Sequence, residues 1–447
     1  MPKSKASPVH RLRVEQRPIF ALKPNLRNAR IHTDKQKHQI ARSINEFGFN
    51  NPVLIDGNDQ IIAGHGRVEA AQLLGIDTIP TIRLEHLSEA QLRAYVIADN
   101  KLALNSGWDP EILAIEFQNL AVLDLPFDLE ITGFDTAEID LLVDGPAGMQ
   151  DDDLDEVPSV ESQAVTRLGD VWHLGEHKLL CADARHPSSC LELMGKERAR
   201  VVFADPPYNV PIDGHVGGLG SIKPREFAMA CGEMGEAQFT HFLTTIFLNI
   251  AGVSLDGAIH FICMDWRHIT ETLAAAKMAY SEFKNLCIWN KDNGGMGSFY
   301  RSKHELIFVF KVGTAPHLNT IELGRTGRYR TNVWDYRGVN TIRPGRLADL
   351  AMHPTVKPVA LVIDAIKDCS RRGDIVLDPF AGSGTTIIAA EKSQRRARAV
   401  EIDPVYVDVA IRRWEKLTDG QATHSPSGQT FTKVAEEHLS SSAATPV

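Results

Sequence analysis

The stretch Ile375-Val-Leu-Asp-Pro-Phe-Ala-Gly-Ser-Gly-Thr-Thr386 decides the fold. It reads as a buried strand (375–377) entering a glycine-containing loop, then a helix (385–391), then a second strand, Ala399-Val-Glu-Ile402. Gly382 and Gly384 let the backbone turn tightly and approach a ligand with no Cβ in the way. Glu401 closes the second strand seventeen residues after Gly384, where a carboxylate can accept from ribose hydroxyls. A glycine-rich turn alone says little. The ordered series of strand, loop, helix, strand and acid specifies a nucleoside cofactor at the C-terminal edge of a sheet. The loop lacks Gly-Lys-Ser/Thr, which disfavours a P-loop.

Outward from this unit, residues 171–181 alternate like a hairpin around Gly175-Glu176. Short apolar runs at 201–204, 258–263, 286–289 and 306–310 are spaced by helical patterns. Strands alternating with helices predict an α/β domain, Rossmann-like, with a mixed, mostly parallel sheet.

The run at 201–204 ends in Asp205-Pro-Pro-Tyr208. Asp-Pro-Pro also suits an ordinary turn, but this tetrad should arise by composition in about one chain of this length in a thousand. Two prolines stiffen the backbone and fix Asp205, the carbonyls of Pro206 and Pro207, and the Tyr208 ring. That arrangement suits methylation of an aromatic amine, whose delocalised lone pair is a poor nucleophile. Asp205 and the Pro206 carbonyl can accept both N–H bonds, and Tyr208 can stack on a base that has left the duplex. Alignment with the methyl group supplies much of the rate, and the chemistry requires no metal.

Asp205-Pro-Pro-Tyr208 followed far downstream by Asp378-Pro-Phe-Ala-Gly-Ser-Gly-Thr-Thr386 resembles the amino-methyltransferases of DNA. The order, tetrad first and cofactor loop last, resembles their permuted β group. The resemblance covers about residues 166–417 and implies S-adenosylmethionine as cofactor, with Asp378, Phe380, Gly382, Gly384, Thr385 and Glu401 around it. His353-Pro-Thr-Val-Lys-Pro358 is similar to the family segment that helps hold the methionine moiety, which adds Thr355 and Lys357. Asp183 is similar to the acid that bonds the cofactor's adenine. Ile288-Trp-Asn-Lys291 and His304-Glu-Leu-Ile-Phe-Val-Phe310 resemble strands flanking the target-recognition region. That region would be 312–351, where Arg325, Arg328, Arg330, Arg337, Arg343 and Arg346 are set among Tyr329, Trp334 and Tyr336. Arginines there can neutralise phosphates or read guanine, and the aromatics can stack or wedge. A solvated basic loop with buried aromatics is the plainer reading of the same residues.

Residues 17–100 resemble ParB-like domains, on the match Ile61-Ile-Ala-Gly-His-Gly-Arg-Val-Glu-Ala-Ala71. This predicts a small α+β domain in front: a helix from the Thr33 cap to Phe47, strands near 52–56 and 60–63, a helix over 68–74, and further helices over 88–99 and 110–120. Gly64 and Arg67 fall at a helix N-terminus suited to phosphate. The family carries Gly-Glu-Arg-Arg there, whereas this chain has His65 and Gly66 in place of the acid and first arginine, so the resemblance implies binding of DNA or of a partner.

The chain of 447 residues is long enough for two domains, and 43% hydrophobic residues supply their cores. No apolar run is long enough to span a membrane, and the polar, basic start is no secretory signal. The cysteines have no zinc spacing, as expected of reduced thiols in a cytoplasmic protein. The net charge of −9 hides a polarity: residues 102–166 hold 16 Asp and Glu and no Lys or Arg, which leaves −9 + 16 = +7 for the rest. Residues 145–165 read as an acidic linker between a front domain (17–144) and the methyltransferase-like domain, with disordered tails at 1–16 and 418–447. All catalytic and recognition motifs lie within 166–420, which predicts a segment able to fold and act alone.

These features together predict an enzyme methylating an exocyclic amino group of double-stranded DNA. Adenine N6 is favoured over cytosine N4 because cytosine enzymes of this kind more often carry Ser at the position of Asp205. A non-catalytic DNA-binding adaptor would show a damaged tetrad or loop, and both are intact. A homodimer, a cognate restriction nuclease, and a bacterial or phage host with nucleoid association are compatible with this reading and not required by it.

Overall fold

The computed structural model describes residues 12–121, 123, 125–144, 154–161, 163–210, 230–292, 294, 300–321, 330–338 and 356–443. The chain divides into two compact units, Met1–Asp144 and Gly145–Val447.

In the first unit, strands β1 (Val14–Pro18), β2 (Val53–Ile55), β3 (Ile61–Ala63) and β4 (Thr78–Arg83) form one sheet in the order β1-β4-β2-β3. Helix α1 (Asp34–Phe47) is capped by Thr33, which accepts from the Gln36 N–H, and ends at Gly48. Helix α2 (His65–Leu73) starts at Gly64, and α3 (Glu89–Leu104) starts at a capping box between Ser88 and Gln91. Val53, Ile55, Ile61, Val68 and Ile79 form the core. Helices α4 (Pro110–Ala121) and α5 (Thr136–Asp144) enclose a separate small core of Phe117, Leu129 and Ile139.

The second unit is built on a ten-stranded sheet. Its strands are β5 (Val171–Leu174), β6 (His177–Cys181), β7 (Ala199–Ala204), β8 (Ser254–Met264), β9 (Glu282–Asn290), β10 (His304–Lys311), β11 (Val333–Asp335), β12 (Ile375–Asp378), β13 (Arg396–Glu401) and β14 (Thr423–His424). The order is β11-β9-β10-β8-β7-β12-β13-β6-β5-β14. The middle strands β8, β7, β12, β13 and β6 are parallel. β10 enters antiparallel between β8 and β9. The central strands are mostly apolar because helices cover both faces, with Arg200, His260 and Arg398 among the polar exceptions. Helices α6 (Pro187–Met194), α7 (Glu236–Gly252) and α8 (Ile269–Ala279) bury Leu193, Phe239 and Ala275 in one layer. Helices α9 (Val359–Cys369), α10 (Thr385–Lys392) and α11 (Pro404–Thr418) bury Leu361, Ile387 and Val407 in the other.

Three segments depart from expectation, the first being the stretch read as an N-terminal tail to residue 16, where β1 already begins at Val14. The C-terminal stretch, read as a disordered tail, contains β14, which pairs antiparallel with β5, and α12 (Phe431–Ala443). Phe431 and His424 pack on Trp172, which is fully buried, with ring centroids 5.3 and 5.0 Å away. The Ser/Thr/Ala composition concealed the apolar residues that anchor this strand and helix. The far half of the acidic linker is also ordered. Asp155 is buried and accepts from the Val359 N–H at 2.8 Å at the start of α9. Asp408 on α11 takes the N–H groups of Val165 and Thr166 at 2.6 and 3.1 Å. Of the described linker acids, Asp155 caps a helix, while Glu156 and Glu161 pair with Lys416 and Arg412 at the surface.

Candidate active site

Strands β6, β7, β8, β12 and β13 release their C-terminal ends at one edge of the sheet. Because β10 runs the other way, its beginning, His304–Glu305, lies at that edge opposite Asn290 and Trp289 of β9. This topology brings together carboxylates and ammonium groups distant in sequence.

Asp205 follows β7. Its Oδ2 accepts from the Lys357 Nζ at 2.6 Å, and its Oδ1 from the Tyr208 hydroxyl at 2.7 Å. Lys357 Nζ also lies 3.1 Å from Glu305 Oε2, and the Tyr208 hydroxyl lies 3.2 Å from that oxygen. Lys291 donates to the other oxygen of Glu305. The result is an alternating row: Asp205, Lys357, Glu305, Lys291. Lys357 keeps only 5% of its side-chain surface, against 24% for Asp205, so the carboxylate is the member nearer solvent. Burial pushes the Asp205 carboxyl above its ordinary range and Glu305 adds to this, while Lys357 opposes it. Burial works the same way on Glu305, but Lys357 and Lys291 outweigh it and hold that group down at about 2. For Lys357, burial disfavours the charge and the two carboxylates restore it, so its pKa is raised. Burial and the two carboxylates raise Tyr208 well above its ordinary value.

The glycine loop follows β12. Asp378 is buried, accepting from the Phe380 N–H at 2.9 Å and the Thr386 hydroxyl at 2.5 Å. Glu401 accepts from the Gly382 N–H at 2.8 Å and the Asp403 N–H at 2.9 Å. Burial pushes both carboxyls up to about 7. Gly382 and Gly384 are both left-handed, with φ +50° and +81°. A Cβ on Gly382 would face open space, whereas one on Gly384 would lie 2.8 Å from the Ala410 Cβ on α11. Phe380 packs partly buried, its ring 6.3 Å from Phe242. At the end of β6, Arg185 grips Asp183 at 2.6 and 2.9 Å.

Several assignments change. Lys357, which the resemblance places on the methionine moiety, donates to Asp205 and pairs with Glu305. Tyr208 offers its hydroxyl to the two carboxylates, so it has a polar role beside its ring. Thr385 is buried, and its hydroxyl accepts from Arg413 of α11 at 3.1 Å, which joins helix to helix. Arg330 is not a DNA contact: its guanidinium is buried against Asp368 at 3.1 Å and the Tyr336 hydroxyl at 2.7 Å, and lies over the Trp334 ring. Trp334 and Tyr336 are buried as well and cannot stack on a base. Arg337 is exposed. Thr355, Arg325, Arg328, Arg343, Arg346 and Tyr329 lie outside the described residues. Sequence reading missed the site roles of Glu305 and Lys291. The available signal was an acid and a base at the same-edge ends of two apolar strands.

In the first unit, Arg67 folds over the α2 start and donates to the Asn51 carbonyl at 2.7 Å. Gly64 has φ +103°, and a Cβ there would touch the Arg67 guanidinium at 3.0 Å. The His32 ring fills the space beside Gly66, 3.0 Å from where its Cβ would be.

Known families match parts of both units, and one match runs across the Asp144/Gly145 boundary. Residues 199–412 match the DNA methylase family of N6 and N4 enzymes, residues 3–100 the ParB N-terminal domain, and residues 111–168 the ParB-methyltransferase HTH domain. The ParB-like nuclease domain-containing protein YnaK of Escherichia coli (strain K12) is 47% identical over 81 residues, 18% of this chain and 93% of that protein. Type II methyltransferase M2.MboI of Moraxella bovis is 23% identical over 243 residues, 52% of this chain and 88% of that protein. DNA adenine methyltransferase YhdJ of Escherichia coli (strain K12) is 43% identical over 82 residues, 18% of this chain and only 26% of that protein. The solved PvuII DNA methyltransferase (cytosine-N4-specific) is 15% identical, with a TM-score of 0.41, over 58% of this chain and 94% of that one. The chain thus belongs to the ParB-like family through its first unit, and its second unit carries a DNA methylase (N6/N4) domain over residues 199–412.

Proposed function

We propose that this protein transfers a methyl group from S-adenosylmethionine to an exocyclic amino group of double-stranded DNA, adenine N6 in preference to cytosine N4. The observation that carries the reading is Asp205, a solvent-facing carboxylate of raised basicity, fixed before two prolines at the sheet edge that also holds the glycine loop.

The residues present fit the cofactor. The missing Cβ of Gly382 leaves an open cradle beside Glu401, whose carboxylate suits ribose hydroxyls, and Asp183 at the neighbouring strand end suits an adenine amine once shared with Arg185. Bound there, the cofactor would supply an electrophilic methyl on a sulfonium. The target amine donates its N–H bonds to Asp205 and the Pro206 carbonyl, which localises its lone pair. With the cofactor bound, the nitrogen would take the methyl group and the sulfur would leave with the C–S electron pair. One amine proton is shed, and Asp205 is the nearest base. Alignment of the two reactants provides the main acceleration.

The ParB-like unit adds DNA affinity by tethering, without base choice. With no Lys or Arg between 102 and 166, its phosphate contacts come from residues up to 101. Incubation of tritiated cofactor with mixed-sequence DNA, together with modification-sensitive sequencing of genomic DNA with and without the expressed protein, tests the whole reading. Label on adenine N6 is expected; label on cytosine N4 would replace the base assignment, and none would refute the activity.

A further inference from the structure

The four-charge row contains more than transfer at Asp205 requires. In the structure as it stands, both Asp205 oxygens are engaged, one by the Lys357 ammonium and one by the Tyr208 hydroxyl. An incoming amine needs that acceptor capacity. Both partners of Asp205 also reach a single second acceptor, Glu305 Oε2, at 3.1 and 3.2 Å. Tyr208 has one hydroxyl proton and two carboxylates within reach of it, so it donates to one or the other. Lys291 anchors the far oxygen of Glu305, which keeps Oε2 turned toward Lys357 and Tyr208. A buried ammonium released from Asp205 with no other partner would carry a large desolvation cost, and Glu305 removes that cost.

We propose that Glu305 is a positioning residue for methyl transfer: it takes over the hydrogen bonds of Lys357 and the Tyr208 hydroxyl as the target amine takes their place on Asp205. This rests on the function proposed above, and it adds a role for a side chain that never touches the base. The handover moves no heavy-atom bond. Lys357 shifts its donor from one carboxylate to the other, and the Tyr208 hydroxyl rotates about its C–O bond. Lys291 holds the net charge of the row at zero, so Glu305 is ready to accept without protonation.

The charged and titratable groups facing Asp205 are Lys357 before α9, Glu305 on β10 with Lys291 behind it, Tyr208 on its own loop, Cys263 on β8, and Asp378 at the end of β12. Two of them give opposite signs. Removing the negative charge in E305Q stabilises the Asp205 carboxylate and moves the acid limb of kcat to lower pH. Removing the positive charge in K291M leaves Glu305 less balanced and moves that limb to higher pH. Each displacement should be about one pH unit, as a close charge imparts.

The experiment uses the full chain and measures kcat and KM for DNA from pH 5.5 to 9, with cofactor affinity by calorimetry. E305Q is expected to lose kcat about ten- to hundredfold, the equivalent of one charge-assisted hydrogen bond. Cofactor affinity should stay within a few-fold, and E305D should recover part of the rate. A merely structural Glu305 would lower activity and leave the limb in place. If E305Q does not fold, K291M alone decides by the direction of its limb. Unmoved limbs in an active wild-type background, or limbs moving the same way, overturn the inference. An inactive wild type refutes the proposed function instead.

Discussion

Arg413 on α11 donates to the main-chain carbonyl of Leu154 at 2.8 Å, tying the segment ahead of β5 to the helix beneath the glycine loop. Its other terminal nitrogen reaches the Ser383 carbonyl at 3.2 Å and the Thr385 hydroxyl at 3.1 Å. Burial lowers its pKa to about 10, so its partners matter to it. Asp155, the next residue along, caps α9 two positions after Lys357. The segment at 154–155 therefore touches both halves of the candidate site.

A fragment of residues 166–420, which holds every sequence motif, should consequently fail where one of 154–443 succeeds. The shorter fragment loses the Leu154 and Asp155 contacts and the covering of Trp172 by His424 and Phe431. Thermal unfolding and cofactor titration of the two check this. Equal melting temperature and affinity would show that these contacts contribute nothing.

Asp205→Ala should abolish methyl transfer and leave cofactor affinity within a few-fold, since Lys357 retains Glu305 as a partner. Tritiated-cofactor assays and calorimetry measure the two separately. Turnover at the wild-type rate would remove Asp205 from the reaction.

The two loop glycines should respond differently to alanine. Gly384→Ala meets Ala410 at 2.8 Å in a left-handed conformation, so it should destabilise the fold by more than the about 1–3 kcal/mol of backbone strain alone. Gly382→Ala meets nothing and should cost only about 1–2 kcal/mol of stability, yet lower cofactor affinity because its methyl enters the cradle. Denaturant titration with and without cofactor separates them. Undiminished cofactor binding by Gly382→Ala would place the cofactor elsewhere.

Arg330→Met should destabilise the second unit by about 3–5 kcal/mol, as expected when one partner of a buried ion pair is removed. The salt dependence of DNA binding should not change. A shallower salt slope in a variant of wild-type stability would return Arg330 to the DNA.

Cofactor binding should release protons near neutral pH. Asp378 and Glu401 stand at about 7 in the free protein, and hydroxyl donors on Glu401 favour its carboxylate. Affinity should therefore fall as pH drops from 8 to 6. Calorimetry in buffers of different ionisation enthalpy reads the proton count, and an affinity constant across that range would show that neither acid meets the ligand.

Much of this was legible in the sequence. Apolar runs flanked by turn residues located β7, β12 and β13, and the Thr33 cap located α1, because those signals are local. The row at Asp205 was not legible beyond Asp205 and Tyr208. Glu305 and Lys291 reach it only through the antiparallel entry of β10, a pairing that strand pattern alone does not specify. Arg330 misled for the complementary reason: an arginine among aromatics reads the same whether its acids, Asp364 and Asp368, come from a helix packed beneath it or from phosphates.

β7 pairs directly with β12, Val201 beside Val376 and Val202 beside Leu377. The loops that follow them emerge side by side, although the chain travels through several other strands and helices between the two. Neighbouring strands need only meet; they need not follow one another in the gene. A coding sequence cut within that excursion and rejoined with the glycine-loop half translated first would rebuild the same edge. Segment shuffling is thus a route open to this sheet for reordering its motifs, one that point substitution could never travel.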